Sequence, residues 1–268
     1  MPGAVLTETL RRTWQQTLYW GLGLGLLGLV GVLVVPLFDA LDIAAMLDTL
    51  PPVLLQAAGI GDDLTFTTTP EGMVALAFFG KMALVFIAYP VVMGMRVTSN
   101  EETDGIMDML LSLPVERARV VLEKVAAYLL NMVFLTLIVF LGVWVGSRLI
   151  DVPLNIGRLV ESTLNLLPTL TFVLAFTTFI GALVGRRSAA LGLVTAFVMG
   201  SYMLDTFGGM AKDSAVGHLR VLSFFSHYNP SGVMQYGLSW GTVAGLLALS
   251  AVLVAGSVWA FQRRDVGA

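Results

Sequence analysis

The chain contains no cysteine, and charged residues make up only 12% of its 268 positions. Without cysteine there is no disulfide, no thiolate metal ligand and no cysteine nucleophile. The sequence also lacks the H-E-x-x-H motif of zinc proteases and the G-x-x-x-x-G-K-[ST] loop that holds nucleotide phosphates. The net charge is only −3 and the basic residues are scattered, which argues against a nucleic-acid partner.

What the chain has instead is apolar length, with 57% hydrophobic residues and a mean hydropathy of +0.85. A soluble domain with a hydrated surface does not reach such values, so we expect an all-α integral membrane protein. Runs of about 20 apolar residues are long enough to cross a bilayer core of about 30 Å. They predict six spans, at Leu18–Leu37, Met73–Met95, Val125–Val145, Leu164–Val184, Ser188–Thr206 and Thr242–Phe261. No boundary or repeat divides the chain, so residues 1–268 are predicted to form a single transmembrane domain.

The basic residues predict the orientation of these spans, because Lys and Arg are retained preferentially on the cytoplasmic side. Ten of them fall on the same side as the N-terminus, four fall on the other side, and Lys81 lies within a span. The ten are Arg11, Arg12, Arg96, Arg117, Arg119, Lys124, Arg186, Arg187, Arg263 and Arg264. Both termini are therefore predicted to be cytoplasmic.

The first 31 residues contain two further patterns. Leu6, Leu10 and Trp14 recur at helical spacing with charged residues between them, which predicts an amphipathic interfacial helix before the first span. Within that span Gly21 and Gly25 lie four residues apart, a spacing that permits close helix contact either inside the bundle or at a dimer seam.

The cytoplasmic stretch between spans 2 and 3 differs from the apolar remainder. Ser99 or Asn100 is a suitable helix N-cap, and acidic residues follow in the first turn, where the helix dipole favours them. The polar face comprises Glu101, Asp104, Asp108 and Ser112, and the apolar face comprises Ile106, Met109, Leu110 and Leu113. Pro114 ends the pattern. The sequence thus predicts a short amphipathic helix beside the membrane.

This stretch resembles the ABC-2 type permease family of ABC transporters, whose members show a Glu, a Gly-Thr or Gly-Ile step, a leucine-rich turn, and Pro-Val or Pro-Ile with Arg and a later Lys. The matching positions are Glu101 or Glu102, Gly105, Ile106, Leu110, Leu111, Ser112, Pro114, Val115, Arg117 and Lys124. Met107 and Asp108 depart from the Leu and Glu of many relatives. The six-span layout is similar as well.

The resemblance implies an exporter permease that dimerises with a second copy or a close paralogue in the prokaryotic plasma (inner) membrane. Each copy would dock on a separate ATPase subunit that binds ATP and Mg and presses on a coupling helix at 100–113, while this chain binds no cofactor and has no ATPase site. The implied docking residues are Glu101, Glu102, Asp104, Gly105, Asp108, Leu110, Pro114 and Arg117. Ile106, Leu110 and Leu113 would seat the helix against the bundle.

Two features lie towards the outer side. Lys81 falls inside span 2, where an ionised group is costly unless it is paired or hydrated. It is interpreted either as part of the translocation path or as a side chain that snorkels to the interface or forms an internal ion pair, with Asp205 as a candidate partner. The segment Phe207–Trp240 is, by the resemblance, a set of short outer-leaflet helices; its alternative is a surface loop with an aromatic belt. Its two histidines lie nine residues apart with no carboxylate triad around them, so no metal site is predicted.

Three other functions compete with the exporter. An ion-driven secondary transporter normally buries several ionisable groups, whereas this chain offers mainly Lys81. Glu101-Glu102 is similar to the paired glutamates of one membrane-protease family, but Ile106 stands where an arginine is expected. A membrane scaffold subunit of another complex stays an alternative. The abundant Leu, Val, Phe and Met favour amphipathic small molecules, lipids or peptides as cargo, although related scaffolds handle other substrates.

Overall fold

The fold is known from a computed structural model, which describes residues 3–40, 47, 49–51, 54–55, 60, 64–80, 82–98, 116–211 and 214–263. Every regular element within these residues is helical, and six helical stretches are long and apolar enough to cross a membrane. Numbered 1 to 6, these spans are Ala4–Leu37, Pro70–Val97, Arg117–Leu149, Ile156–Val184, Arg187–Met210 and Trp240–Arg263. The predicted fold class is confirmed, because each predicted span lies within one of them.

Spans 1, 2 and 4 are each built from more than one helix. Their helices are Ala4–Leu33 and Val35–Ala40 in span 1, Pro70–Val74, the π-helix Ala75–Gly80 and Ala83–Val97 in span 2, and Ile156–Leu164 and Leu166–Val184 in span 4. The remaining helices among the described residues are Leu64–Thr67, Ala215–Leu219, the 3-10 turn Arg220–Leu222, Phe224–His227 and Pro230–Tyr236. The last four form the connection between spans 5 and 6.

The first helix begins earlier than the apolar run predicts. The amphipathic segment around Leu10 continues into span 1 as a single helix, Ala4–Leu33, so the predicted boundary at Leu18 is not a break in the backbone. The reason lies in the sequence, since no proline interrupts residues 4–33 and the first glycine after the helix start is Gly21. Length and apolarity locate a span, but helix breakers set where its helix begins.

Spans 1 and 3 run parallel and pack closely along most of their length. Gly3 lies beside Glu123, Thr13 beside Asn131, and Gly25 beside Gly142. A Cβ atom at Gly25 would lie 2.9 Å from the carbonyl oxygen of Ile138. Gly21 and Gly25 therefore serve contact inside the bundle, and we refer to the backbone contact of Gly25 with Gly142 as the glycine seam.

The other spans surround this pair. Span 2 runs antiparallel to span 1, because Tyr89 contacts Thr17 whereas Phe78 lies against Gly28. Span 4 is the most buried of the six, and Thr177 fits against Gly94 of span 2. Spans 5 and 6 are the most exposed within the single chain.

We expect Gly142→Ala to destabilise the protein, because the added methyl group would clash with the backbone of Gly25. Both positions are glycines, so no side chain can rotate away to relieve the clash. The expected cost is about 1–3 kcal/mol, the usual range for overpacking. It should appear as a lower unfolding temperature of the detergent-purified chain.

Gly23→Ala is the matched control, since a Cβ atom at Gly23 has no neighbour within 4 Å. Equal unfolding temperatures of the Gly142→Ala and Gly23→Ala variants would contradict the close contact at the glycine seam.

Candidate coupling and transport sites

The predicted docking site falls largely outside the described residues. Its members Glu101, Glu102, Asp104, Gly105, Asp108, Leu110 and Pro114 all lie in 99–115, which the structure does not describe. Arg117 is described and is the first residue of the span 3 helix, where it is half-buried. The coupling helix at 100–113 therefore stays a prediction, and the structure describes the two helix ends that flank it.

Glu123 is the main polar contact at the start of span 3. Its carboxylate accepts hydrogen bonds from the backbone N–H groups of Gly3, Val5 and Leu6 at 3.0, 3.0 and 3.2 Å. Arg119 donates to the same carboxylate at 2.8 Å. The first N–H groups of a helix have no partners within that helix and carry partial positive charge. A side chain of span 3 thus caps the N-terminus of span 1.

The next residue, Lys124, faces the other neighbouring helix end. Its side chain is only 2% exposed, and its Nζ lies 3.5 Å from the carbonyl oxygen of Val97, the last residue of span 2. Cations are favourable at helix C-termini, where carbonyl groups lack helical partners. Thr98, immediately before the undescribed segment, is fully buried. Glu123 and Lys124 together link span 3 to the start of span 1 and the end of span 2.

A buried polar network joins spans 1, 2 and 3 further along. The amide Nδ2 of Asn131 donates to Thr13 Oγ1 at 2.9 Å, and Thr17 Oγ1 lies 2.9 Å from the hydroxyl of Tyr89. The Thr17 hydroxyl already donates its hydrogen to the backbone oxygen of Thr13 at 3.0 Å. Because a hydroxyl has one hydrogen, Thr17 accepts from Tyr89.

At the opposite end of the bundle, Asp205 of span 5 pairs with Arg220, whose Nε lies 2.8 Å from Oδ1. Both side chains are partly exposed, so the pair resembles a surface ion pair in strength. Lys81, the predicted partner of Asp205, lies outside the described residues. The assignment of Lys81 and Asp205 to a translocation path stays a prediction.

The connection between spans 5 and 6 folds back onto the bundle. Phe224, Phe225, Tyr228 and Met234 are all buried, and the Ser201 and Ser223 hydroxyls lie 2.9 Å apart. This arrangement agrees with the predicted short helices more closely than with a surface loop.

Tyr228 connects this segment to the π-helix of span 2. Its hydroxyl donates to the backbone oxygen of Phe79 at 3.2 Å, while its own carbonyl accepts from Asn165 at 3.2 Å. Burial raises the pKa of the Tyr228 hydroxyl, which keeps it neutral and able to donate. A π-helical turn disturbs the regular i→i−4 pairing, so an external donor to a carbonyl there is favourable.

No group of three or more metal-ligating side chains occurs among the described residues. His218 Nδ1 lies 2.9 Å from the Ser214 carbonyl oxygen, and His227 Nε2 lies 3.0 Å from that of Val221. Both imidazoles therefore have backbone partners.

Sequence reasoning missed Glu123, Asn131 and Tyr228 as contact residues. Asn131 is a polar residue inside an apolar run, which is a detectable signal in a membrane span. The long-range partners of Glu123 and Tyr228 are backbone groups, and these leave no trace in the residue pattern.

We expect Glu123→Ala to loosen the first turn of span 1, because three N–H groups lose their acceptor. The expected local cost is about 1–2 kcal/mol, the range for loss of a helix N-cap. Amide hydrogen exchange over residues 3–8 should accelerate correspondingly. Glu8→Ala is the control, because Glu8 pairs with the exposed side chains of Arg11 and Arg12. Unchanged exchange in the Glu123→Ala variant would contradict the capping role.

Tyr228→Phe should lower stability by about 1–3 kcal/mol, because the Phe79 carbonyl loses the Tyr228 donor in a buried position. Thermal unfolding in detergent measures this loss. Tyr236→Phe removes the same atom from a side chain that is 76% exposed and should have no effect. Similar unfolding temperatures for the two variants would refute the contact.

Comparison with known proteins extends over nearly the whole chain. A family model described as multidrug efflux system permease Rv1217c, C-terminal domain, matches residues 6–262. This range includes the segment 99–115 and all six spans, except for the first residues of span 1 and the last residue of span 6. No curated protein matches the chain. The extent of the family match shows that the chain belongs to the multidrug efflux system permease Rv1217c, C-terminal domain family.

Proposed function

We propose that this chain is the membrane-spanning permease subunit of an ABC-2 type exporter. The observation that carries the proposal is the match of residues 6–262 to an efflux permease family. The motif around Glu101 to Arg117 adds the type of exporter by resemblance. In this proposal the permease forms the translocation path as a dimer and docks on separate ATPase subunits, which bind ATP and Mg.

The packing around the coupling segment supports a role in transmitting force. The segment 99–115 leaves span 2 at the buried Thr98 and rejoins the chain at Glu116, next to the span 3 helix. Lys124 contacts the end of span 2, and Glu123 caps span 1. A force applied to the segment would therefore act on spans 1, 2 and 3, because the contacts of Glu123 and Lys124 join these spans close to the segment. Close-packed helices transmit such displacements instead of absorbing them.

The proposed orientation places both termini and the coupling segment in the cytoplasm of a prokaryotic cell. The segment around Tyr228 then lies at the outer end, where its buried short helices would close the exit between transport cycles. Span 2 connects the two ends, because its π-helix contacts Tyr228 and its last residue contacts Lys124. Motion at the coupling helix would reach the exit through span 2.

The substrate class in this proposal is amphipathic small molecules, including drugs. The family is described as a multidrug efflux permease, which agrees with the apolar composition of the spans. An ion-driven transporter is disfavoured, because ionisable side chains within the described spans lie mainly near helix ends.

We expect the double variant Glu101→Ala, Asp104→Ala to weaken docking of the partner ATPase and to reduce its permease-stimulated activity several-fold. The physical reason is the loss of two acidic side chains from the polar face of the predicted helix. Co-purification in detergent and ATP hydrolysis with and without the permease are the measurements.

Glu8→Ala is the matched control, since Glu8 is also acidic and predicted to be cytoplasmic but lies outside the segment. If the double variant binds and stimulates the ATPase as the wild type does, the docking assignment is wrong. If the chain purifies without any ATPase and transports without ATP, the exporter proposal is wrong.

A further inference from the structure

A groove lies between spans 1 and 3, at the level of the buried polar network. Its volume is about 440 Å³, which falls within the range of about 300–1,000 Å³ typical of small-molecule sites. The lining residues are Leu10, Trp14, Thr17, Leu18, Asn131 and Phe134. Those from span 1 follow helical spacing, so they share one face of that helix.

The groove opens on the side of the bundle, at a level that lies within the predicted membrane. Trp14 is 54% exposed and Phe134 is 46% exposed, so the two aromatic rings form its rim. Arg11 and Arg12 lie less than one turn before Trp14 and are exposed. Basic residues next to an aromatic one are typical of the membrane–water interface. The mouth of the groove therefore lies just below the predicted cytoplasmic headgroups.

The floor of the groove is polar but uncharged. Thr17 is 1% exposed and Asn131 is 6% exposed, and none of the described side chains that line the groove is ionisable. An asparagine amide has two donor hydrogens and an acceptor oxygen, and Asn131 donates to Thr13 and also hydrogen-bonds the Tyr89 hydroxyl. The amide oxygen keeps acceptor capacity for a bound molecule.

This combination selects a type of ligand. Apolar walls favour an apolar body, and the amide favours one neutral hydrogen-bonding group close to it. A charged group placed on the floor would lose its hydration without gaining a counter-ion. An uncharged amphipathic molecule fits these conditions.

We propose that the groove is an access site where an uncharged amphipathic substrate enters from the inner leaflet before transport. The inference rests on the proposed export function and assigns it an uptake point. A molecule dissolved in the inner leaflet reaches the groove without crossing water, and the Asn131 amide retains it.

The test uses the full-length chain in phospholipid nanodiscs, with N-phenyl-1-naphthylamine as a neutral probe that has one N–H donor. We expect saturable binding above that of empty nanodiscs. Leu18→Trp fills the groove and Asn131→Leu removes its amide, and each should weaken probe binding about five-fold or more. Leu22→Trp is the matched control, because Leu22 lies one turn further along span 1 and is 53% exposed. It should bind as the wild type does.

Several outcomes would contradict the assignment of the groove as an access site. These are the absence of saturable binding, an unchanged affinity in Leu18→Trp, or an equal loss in Leu22→Trp. Native mass spectrometry adds two more. A tightly retained phospholipid lost only in Leu18→Trp would make the groove a structural lipid site, and dissociation of a dimer in that variant would make it an interface between copies.

Probe binding needs no ATPase, so the two proposals fail separately. If the probe binds at the groove but no ATPase is stimulated, the exporter proposal fails and the binding site stands. If ATPase stimulation is intact and the probe does not bind, the access-site proposal is wrong and the exporter proposal stands.

Discussion

The rest of the bundle depends on the close contact of spans 1 and 3. Near the middle the contact is backbone against backbone at Gly25 and Gly142, and at the predicted cytoplasmic end it is the Glu123 carboxylate on the first N–H groups of span 1. In a membrane the hydrophobic effect does little to hold helices together, so van der Waals packing and hydrogen bonds determine which helices pair. The two contacts fix both the distance and the register of this parallel pair. Span 2 then packs against it through Tyr89 and Phe78.

The sequence predicts the positions of the spans well, because these depend on the length of the apolar runs alone. All six spans fall where runs of about 20 apolar residues predict them, because the bilayer core imposes a minimum apolar length on every span. The helix starts were less predictable. Span 1 begins at Ala4 and not near Leu18, because the amphipathic stretch contains no helix breaker. The interruption of span 4 at Asn165 is understandable afterwards from Pro168, which lacks an N–H group for the preceding turn.

The candidate site was only partly predictable, for a different reason. The motif at 101–117 was recognised because it consists of side chains in a local pattern. Glu123 reaches backbone groups more than a hundred positions away, and nothing in the sequence near Gly3 marks it as a partner. Asn131 was visible as a polar residue in an apolar run, but its pairing with Thr13 needs the register of two helices. The π-helix before Lys81 has no distinctive sequence signal. The Phe79 carbonyl contact with Tyr228 therefore appears only in three dimensions.

The capping of span 1 by Glu123 also bears on how the sequence is free to change. The carboxylate binds amide groups that every residue except proline possesses, so positions 5 and 6 tolerate any side chain that the surface accepts, whereas position 3 favours glycine because its φ is +85°. Divergence at these positions would leave the contact intact as long as proline is avoided. The partner position has no such freedom, since only a long acidic side chain reaches all three groups. Across homologues this contact would appear as an invariant glutamate with no covarying partner at the start of span 1, and methods that infer contacts from paired substitutions would not detect it.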